Sequence, residues 1–504
     1  MQQSSTSTID INTLREKYRF YMETITPFVH LNTTNDEELK QIYQNIKTHF
    51  LDTKIYTPYN IYFLLGALYK MNNRYMKSYW KIFKLIYEEY QADPTHYLHS
   101  VLLYFFYKEY GIPIPKHKKL ELQKYELEKY TLEVHEQNTV SRAIMDDNEE
   151  LFIAFIEKED FNKNQILYSD FYPNPLQGLQ LIEICCYYGS VKCFKILRER
   201  FHSKITRTCL NFSLMGRNEY IMNECLKKVT PDVSCMHFAI YSHNTHFITS
   251  LMDKYHFELD LYKCAYFANL DAFFAYLERT NDVFECAVYS PLFVIKSLVE
   301  FFISQGANIN QFSKNKQFNM VICATFAVSI PITELLISHG VDINANYYDG
   351  INPLFLAAQL NVPELAKLYI SNGINVNDIS GEGNSALHLA TFYGCKEMVE
   401  TLIMNGADVN VTDVNDSTPL HYAVERNNKD IVKLLFTHHS NINAKDKHGI
   451  TPLEYAIRSN YKGIVKVLTN PSTNRIIKKT KEVVSYTLTL LFPIYKSLLE
   501  KLLQ

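Results

Sequence analysis

The sequence predicts an all-α fold: a solenoid of stacked helical pairs joined by short β-hairpin loops, preceded by a helical N-terminal domain. Three observations predict it. The segments INPLFLAA, NSALHLAT, STPLHYAV and ITPLEYAI align without gaps, and their leucines Leu354, Leu387, Leu420 and Leu453 are each 33 residues apart. A second register, Asn344, Asn377, Asn410 and Asn443, keeps the same 33-residue step, with Asn310 a further 34 upstream. Two registers in phase over this length make the period a property of the structure. Composition agrees, since only 15 of 504 residues are Gly while Leu, Ile, Tyr, Lys and Glu abound. That balance favours helices over a Gly-rich β fold.

Each part of the repeat has a mechanical role. Thr418 can cap a first helix through its hydroxyl, and Pro419 fills the first helical position, where its missing N–H costs nothing. Leu420 and Ala423 point into the stack, and Ala is small where neighbouring helices approach closely. A short turn follows, marked by Gly394 in one copy and Asn427 in another. The second helix carries Met398 with Leu402 and Val399 with Ile403, four apart on one apolar face. Gly406 then ends it in a left-handed conformation, as do Gly373, Gly340 and Gly306 in their copies.

TPLHYA (Thr418–Ala423) and GADVN (Gly406–Asn410) resemble the helix-start and loop signatures of the ankyrin repeat. The resemblance covers about Lys314 to Asn470 and implies two antiparallel helices and an outward hairpin per repeat. Departures exist: His439 replaces the glycine in one copy, Glu454 replaces the histidine in the last, and Cys323 to Ala327 lacks TPLH. The resemblance implies that His388 and His421 tie hairpin to helix by hydrogen bonds. It also implies binding through hairpin tips and the outer turns of first helices. By register these are Tyr348 and Asp349 with Gln359 and Leu360; Glu382 with Phe392 and Tyr393; Asn415 with Glu425 and Arg426; and Lys447 and His448 with Arg458. Phe392, Tyr393 and Arg426 form the group most like an interface hot spot. The alternative is that these side chains merely cover the groove.

Weaker copies run upstream. CCYYGSVKCFKIL (Cys185–Leu197) aligns with ATFYGCKEMVETL (Ala390–Leu402), and turn positions 189, 216 and 243 fall 27 apart. The shorter period predicts that the hairpin is trimmed while the helix pair survives. This stretch, with CLNFSLMGRNEYIMNECLK and DLYKCAYFANLDAFFAYL, resembles the large ankyrin-repeat families of parasitic protists, in which a helical domain of unknown function precedes the array. Before it, amphipathic stretches at about Ile11–Val29, Asp36–Phe50, Tyr59–Met71, Arg74–Tyr90 and Thr95–Tyr110 are punctuated by prolines. Trp80, among Tyr75, Tyr79 and Phe83, reads as core. The expected domains are therefore a helical N-terminal domain over 1–135, divergent ankyrin-like repeats over 136–310, ankyrin repeats over 311–470, and a capping helical tail over 471–504.

The chemistry sought is mostly excluded. A net charge of −3 leaves no basic field for nucleic acid. The run Lys116, Lys118, Lys119 is followed by acids and reads as a solvated helix face. GEGNSA (Gly381–Ala386) mimics a dinucleotide fingerprint, but the 33-residue register makes it a hairpin entering a helix. Cys185, Cys186 and Cys193, or His243 with His246, lack the paired spacing of a zinc site, and the cysteines fall on the apolar seam. No cofactor, metal or catalytic constellation is expected. The polar opening MQQSSTSTID and the lack of a long apolar run point to a cytoplasmic chain without a membrane span.

The expected function is a non-catalytic protein-binding scaffold or adaptor with an unidentified protein partner. Two alternatives stay open. The N-terminal domain could be a regulatory or effector module of unknown activity, with the repeats providing targeting. The tail, with Lys478, Lys479 and Lys481 before an apolar run, could touch a membrane peripherally.

Overall fold

The computed structural model describes residues 9–95, 97–112, 119–173, 177–344 and 350–469. The chain divides into two compact units, residues 1–341 and 342 onward. The expectations for Tyr348, Asp349 and the tail 471–504 lie outside the described residues.

The first unit opens with seven helices: α1 Ile11–Lys17, α2 Arg19–Val29, α3 Asp36–Ile46, α4 Pro58–Leu68, α5 Met76–Tyr90, α6 Ser100–Tyr110 and α7 Lys119–Leu127. Local chemistry sets their starts. The Asp10 carboxylate accepts from Asn12 and Thr13 N–H, and Asn35 accepts from Glu37 and Glu38 N–H. Pro58 fills the first position of α4. The stretch 11–29, read as one helix, breaks at Tyr18, whose ψ of 16° leaves the helical range. Trp80 is core: it is buried and stacks on Phe83 with ring centroids 4.7 Å apart.

Seven helical pairs follow in the same unit: α8 Val140–Met145 with α9 Glu149–Ile156, α10 Leu181–Tyr188 with α11 Val191–Glu199, α12 Arg207–Gly216 with α13 Glu219–Leu226, α14 Val233–Tyr241 with α15 Thr245–Tyr255, α16 Leu261–Tyr266 with α17 Leu270–Thr280, α18 Val283–Tyr289 with α19 Lys296–Ser304, and α20 Met320–Phe326 with α21 Ile330–Ser338. The second unit holds four: α22 Pro353–Gln359 with α23 Pro363–Ser371, α24 Ala386–Phe392 with α25 Lys396–Met404, α26 Pro419–Glu425 with α27 Lys429–Thr437, and α28 Pro452–Arg458 with α29 Lys462–Leu468. Within each unit first helices pack on first helices and second helices on second helices. Such a stack buries a continuous core although no single pair could bury its own. The described strands are β1 Ile166–Leu167 and β2 Leu179–Gln180, an antiparallel pair leading into α10.

The turn inside each pair carries one left-handed residue. From the second pair onward these are Gly189, Arg217, His243, Ala268, Val294 and Val328, then Asn361, Gly394, Asn427 and Asn460. Their spacing is 28, 26, 25 and 26 residues up to Val294, 34 to Val328 and 33 thereafter. The short upstream period is therefore real. In the third pair the left-handed residue is Arg217, one past the expected Gly216. Gly216 is required for a different reason. A Cβ there would meet the Cys186 carbonyl oxygen at 2.2 Å and the Gly189 nitrogen at 2.6 Å.

The missing residues come from the hairpin, as the sequence predicts. Links from a second helix to the next first helix run 7, 6, 5 and 2 residues between α11 and α18. The link before α20 has 15 and each later one 14. Full hairpins zip together through their tips: Val414 N–H donates to the Glu382 carbonyl at 3.1 Å and Lys447 N–H to the Asn415 carbonyl at 2.9 Å. Lys314 holds the same register in the first full hairpin, but the loop before it is trimmed. Its N–H donates instead to the buried Glu285 carboxylate at 3.0 and 3.3 Å. A side chain thus replaces an absent hairpin, and burial raises the pKa of that carboxyl.

The glycine geometry gives a paired test. Gly216→Ala should destabilise the protein by about 3 kcal/mol, because backbone rather than a movable side chain blocks the new methyl group. Gly463→Ala, in an exposed helix with only the Lys429 side chain nearby, should stabilise by about 0.5–1 kcal/mol. Denaturant melts of both variants check the signs.

Candidate protein-docking face

The turns line up along one edge of each stack. They end first helices, so they present carbonyls and the side chains just before the left-handed residue. Buried backbone carbonyls need donors. In the first unit the N-terminal helices and their links supply some of these donors and, in other pairs, meet the turns through rings, an ion pair or acceptors of their own.

Arg74 donates to the Met145 carbonyl in the first pair. In the second, the Tyr187 hydroxyl donates to the Lys70 carbonyl at 2.7 Å and the Tyr188 hydroxyl to Asn73 Oδ1 at 2.8 Å. In the fourth, His30 Nε2 lies 3.5 Å from the Tyr241 carbonyl. In the fifth, Phe63 packs edge-on against Tyr266 at 5.2 Å, and Arg15 pairs with Asp271 at 2.9 Å. In the sixth, Tyr21 meets Phe293 edge-on at 6.4 Å. In the seventh, Asn60 Nδ2 donates to the Ala327 carbonyl at 2.6 Å. Asn60 has two tasks, since its Oδ1 also accepts from Thr57 N–H at 2.7 Å and so caps α4. The third pair shares a small pocket with Asn72 and Arg74.

Histidines line this junction. His30 and His243 stack edge-on with centroids 4.6 Å apart. His243 Nε2 lies 2.9 Å from the Phe267 carbonyl, and His135 Nε2 lies 2.9 Å from the Tyr188 hydroxyl. Burial lowers all three pKa values, His30 to about 2 and His243 and His135 to about 4. The charge of Arg217 adds to the effect on His30 and His243, and that of Arg142 to the effect on His135.

In the second unit the turns that end first helices carry Gln359, Leu360, Phe392, Tyr393, Glu425, Arg426 and Arg458, while Glu382, Asn415, Lys447 and His448 lie on the hairpins that enter those helices. Gln359, Glu382, Glu425, Lys447, His448 and Arg458 are exposed; Leu360, Phe392, Asn415 and Arg426 are partly exposed. Tyr393 is 40% exposed. Phe392, Tyr393 and Arg426 do meet. The Arg426 guanidinium lies 3.6 Å above the Phe392 ring, and Phe392 and Tyr393 are edge-on at 5.2 Å. Arg426 Nε is buried without a hydrogen-bond partner among the described residues. Asn415 and Lys447 join across neighbouring hairpins through side chains and backbone. Glu382 takes part through its carbonyl only at the tip contact described above.

His388 and His421 act as ties. His388 Nδ1 accepts from Ser385 N–H at 3.1 Å, and Nε2 faces the Ser417 carbonyl of the next repeat at 3.0 Å. His421 repeats this with Thr418 N–H and the Ile450 carbonyl, both at 3.1 Å. The asparagine register has a role that spacing alone did not disclose. Asn377 Oδ1 accepts from Asp408 N–H at 2.7 Å while its Nδ2 donates to the Gly406 carbonyl at 3.1 Å. Asn410 accepts in the same way from Asn441 N–H at 2.7 Å. These side chains bridge one repeat to the left-handed loop of the next.

Residues 320–413 and 411–479 match the family described as Ankyrin repeats (3 copies). This chain carries ankyrin repeats. Residues 201–276 match a domain of unknown function (DUF3447), which falls on the trimmed pairs rather than on α1–α7. No curated protein matches the chain. The ankyrin repeats account for the histidine ties and the hairpin loops. The ten cysteines are all buried free thiols, on the seam where packing needs small apolar groups. Among the described residues, no helix is long and apolar enough to cross a membrane, and no cluster of His, Cys, Asp or Glu could hold a metal.

Two outcomes are expected. His421→Ala leaves the Thr418 N–H without its partner and the Ile450 carbonyl with only the Asp446 N–H, and should cost about 1–3 kcal/mol in a denaturant melt. The junction histidines give an acid limb. Their folded pKa values lie below the unfolded value of about 6.5, so the unfolded chain binds more protons. Their contribution is whole above pH about 6.5 and is lost as pH falls toward 4, by about 1.4 kcal/mol per pH unit for each imidazole. Melting temperature should fall between pH 7 and 4.5. His243→Asn, which keeps a residue tolerant of the left-handed turn, should flatten that fall.

Proposed function

We infer that the chain is a non-catalytic scaffold whose second unit docks a protein partner on the edge centred on Phe392, Tyr393 and Arg426. One observation carries this reading. Near the same turns in the first unit, six of the seven pairs already carry contacts from the N-terminal helices and their links. Tyr187 and Tyr188 there correspond to Phe392 and Tyr393 here. A surface type that binds helices within the chain is available for a partner. An aromatic pair with a guanidinium stacked over it is the chemistry that dominates interface energetics. The flanking Gln359, Leu360, Glu382, Asn415, Glu425, Lys447, His448 and Arg458 would form its rim.

The alternative, an N-terminal effector module, has less support. The most perturbed groups in α1–α7 are buried tyrosines, such as Tyr21 and Tyr62, raised chiefly by burial in the core. The helices α1–α7 are better read as the fixed occupant of the first unit's edge.

Proximity labelling or pull-down with the full chain should recover a partner whose capture falls at least about tenfold when Phe392, Tyr393 and Arg426 become Ala. That loss corresponds to one or two hot-spot contacts. Full retention of the partner by a folded triple variant would contradict the assigned face.

A further inference from the structure

The third pair and the N-terminal helices share the walls of a pocket of about 250 Å³. Its walls come from three places: the segment after α2 (Leu31, Asn32), the link between α4 and α5 (Met71 to Tyr75), and the turns ending α10 and α12. Two of the lining residues are arginines, Arg74 and Arg217, and none is a carboxylate.

The two cations lack counter-charges. Arginine ion pairs among the described residues are those of Arg15, Arg19, Arg142, Arg207 and Arg279. Arg74 donates to the Met145 carbonyl and lies 5.4 Å from the Tyr188 ring centroid, but its Nε is buried without a hydrogen-bond partner. A neutral carbonyl and an aromatic face do not neutralise a guanidinium. Arg217 is exposed on the left-handed turn and its charge reaches the pair His30 and His243. A desolvated cation without a counter-ion is costly. The neighbouring amides are already committed: Asn72 Nδ2 to the Leu31 carbonyl at 2.7 Å and Asn73 Nδ2 to the Phe171 carbonyl at 2.8 Å. They fix those walls; Arg74 keeps its Nε unpaired and Arg217 is exposed beside the Tyr241 hydroxyl, and these two guanidinium groups are the charged side chains of the lining.

We propose that this pocket binds a small phosphate-bearing anion between Arg74 and Arg217, joining the N-terminal helices to the third repeat. Guanidinium groups favour phosphate oxygens through charge-assisted hydrogen bonds. The small volume limits the ligand to free phosphate or a small phosphomonoester. Because the two arginines come from the N-terminal helices and from the array, the bound anion strengthens that junction.

Thermal melts of the full chain test this with inorganic phosphate, glycerol 3-phosphate and chloride at matched ionic strength. Phosphate should raise the melting temperature in proportion to the logarithm of its concentration, beyond the chloride control. A rise with inorganic phosphate alone assigns the site to the free ion, and a rise at least as large with the ester assigns it to a phosphorylated small molecule. Arg217→Ala, an exposed change that leaves the core intact, should weaken the effect roughly tenfold in ligand concentration. Arg74→Lys keeps a charge without the planar fork and should weaken it less. Arg426→Ala in the other unit should leave it unchanged. A melting temperature that follows ionic strength alone, or a full phosphate shift in Arg217→Ala, overturns the proposal.

Discussion

A left-handed residue in the turn inside every repeat pair is the constraint on which the rest of the structure depends. It reverses the chain within two or three residues in most pairs and within six between α18 and α19, so the two helices of a pair lie side by side and the next pair can stack. Most residues at these positions are not glycine, and each then adopts a conformation that costs about 1 kcal/mol or more. Burial of apolar side chains such as Ile240, Ile248 and Leu251 in the adjoining helices offsets that cost. The same reversal aligns the turn carbonyls along one edge, and an aligned edge invites a docked surface.

The two units meet that edge differently. In the first, the hairpins between α11 and α18 shrink to a few residues and the N-terminal helices settle on the turns. Asn60, Arg74 and His30 reach turn carbonyls, while Tyr21 and Phe63 cover turn aromatics. In the second, full hairpins return, tied by His388, His421, Asn377 and Asn410. Between the regimes Glu285 stands in for a hairpin that is absent. One side chain at the right register thus lets the trimmed pairs and the first full-hairpin pair share one stack within the first unit.

Much of this was legible in the sequence because repetition turns spacing into geometry. The leucine and asparagine registers predicted the ankyrin pairs, and the compressed upstream period predicted the trimmed loops. The hydrogen-bonding role of the histidines followed from the family resemblance. The docking of α1–α7 was not legible, because a contact made once between unlike surfaces has no period. A signal was nevertheless present: Tyr187, Tyr188, Tyr241 and Tyr266 place large aromatics at edge positions that a bare array would leave in water. The bridging of asparagines to the next loop was hidden for another reason. Spacing shows that a residue recurs, but not which neighbour its amide reaches. The break at Tyr18 lay beyond pattern reading because amphipathicity continues across it.

The central claim is that one edge of the repeat is covered within the chain in the first unit and, among the described residues, left exposed at Tyr393 in the second. Hydroxyl-radical footprinting of the full chain, read by mass spectrometry, tests it most directly. Tyr187, Tyr188 and Tyr241 are buried and Tyr393 is exposed, so oxidation should be rapid at Tyr393 and slow at the other three. Equal oxidation of Tyr187, Tyr241 and Tyr393 would show that the N-terminal helices do not cover the edge, and would contradict the account.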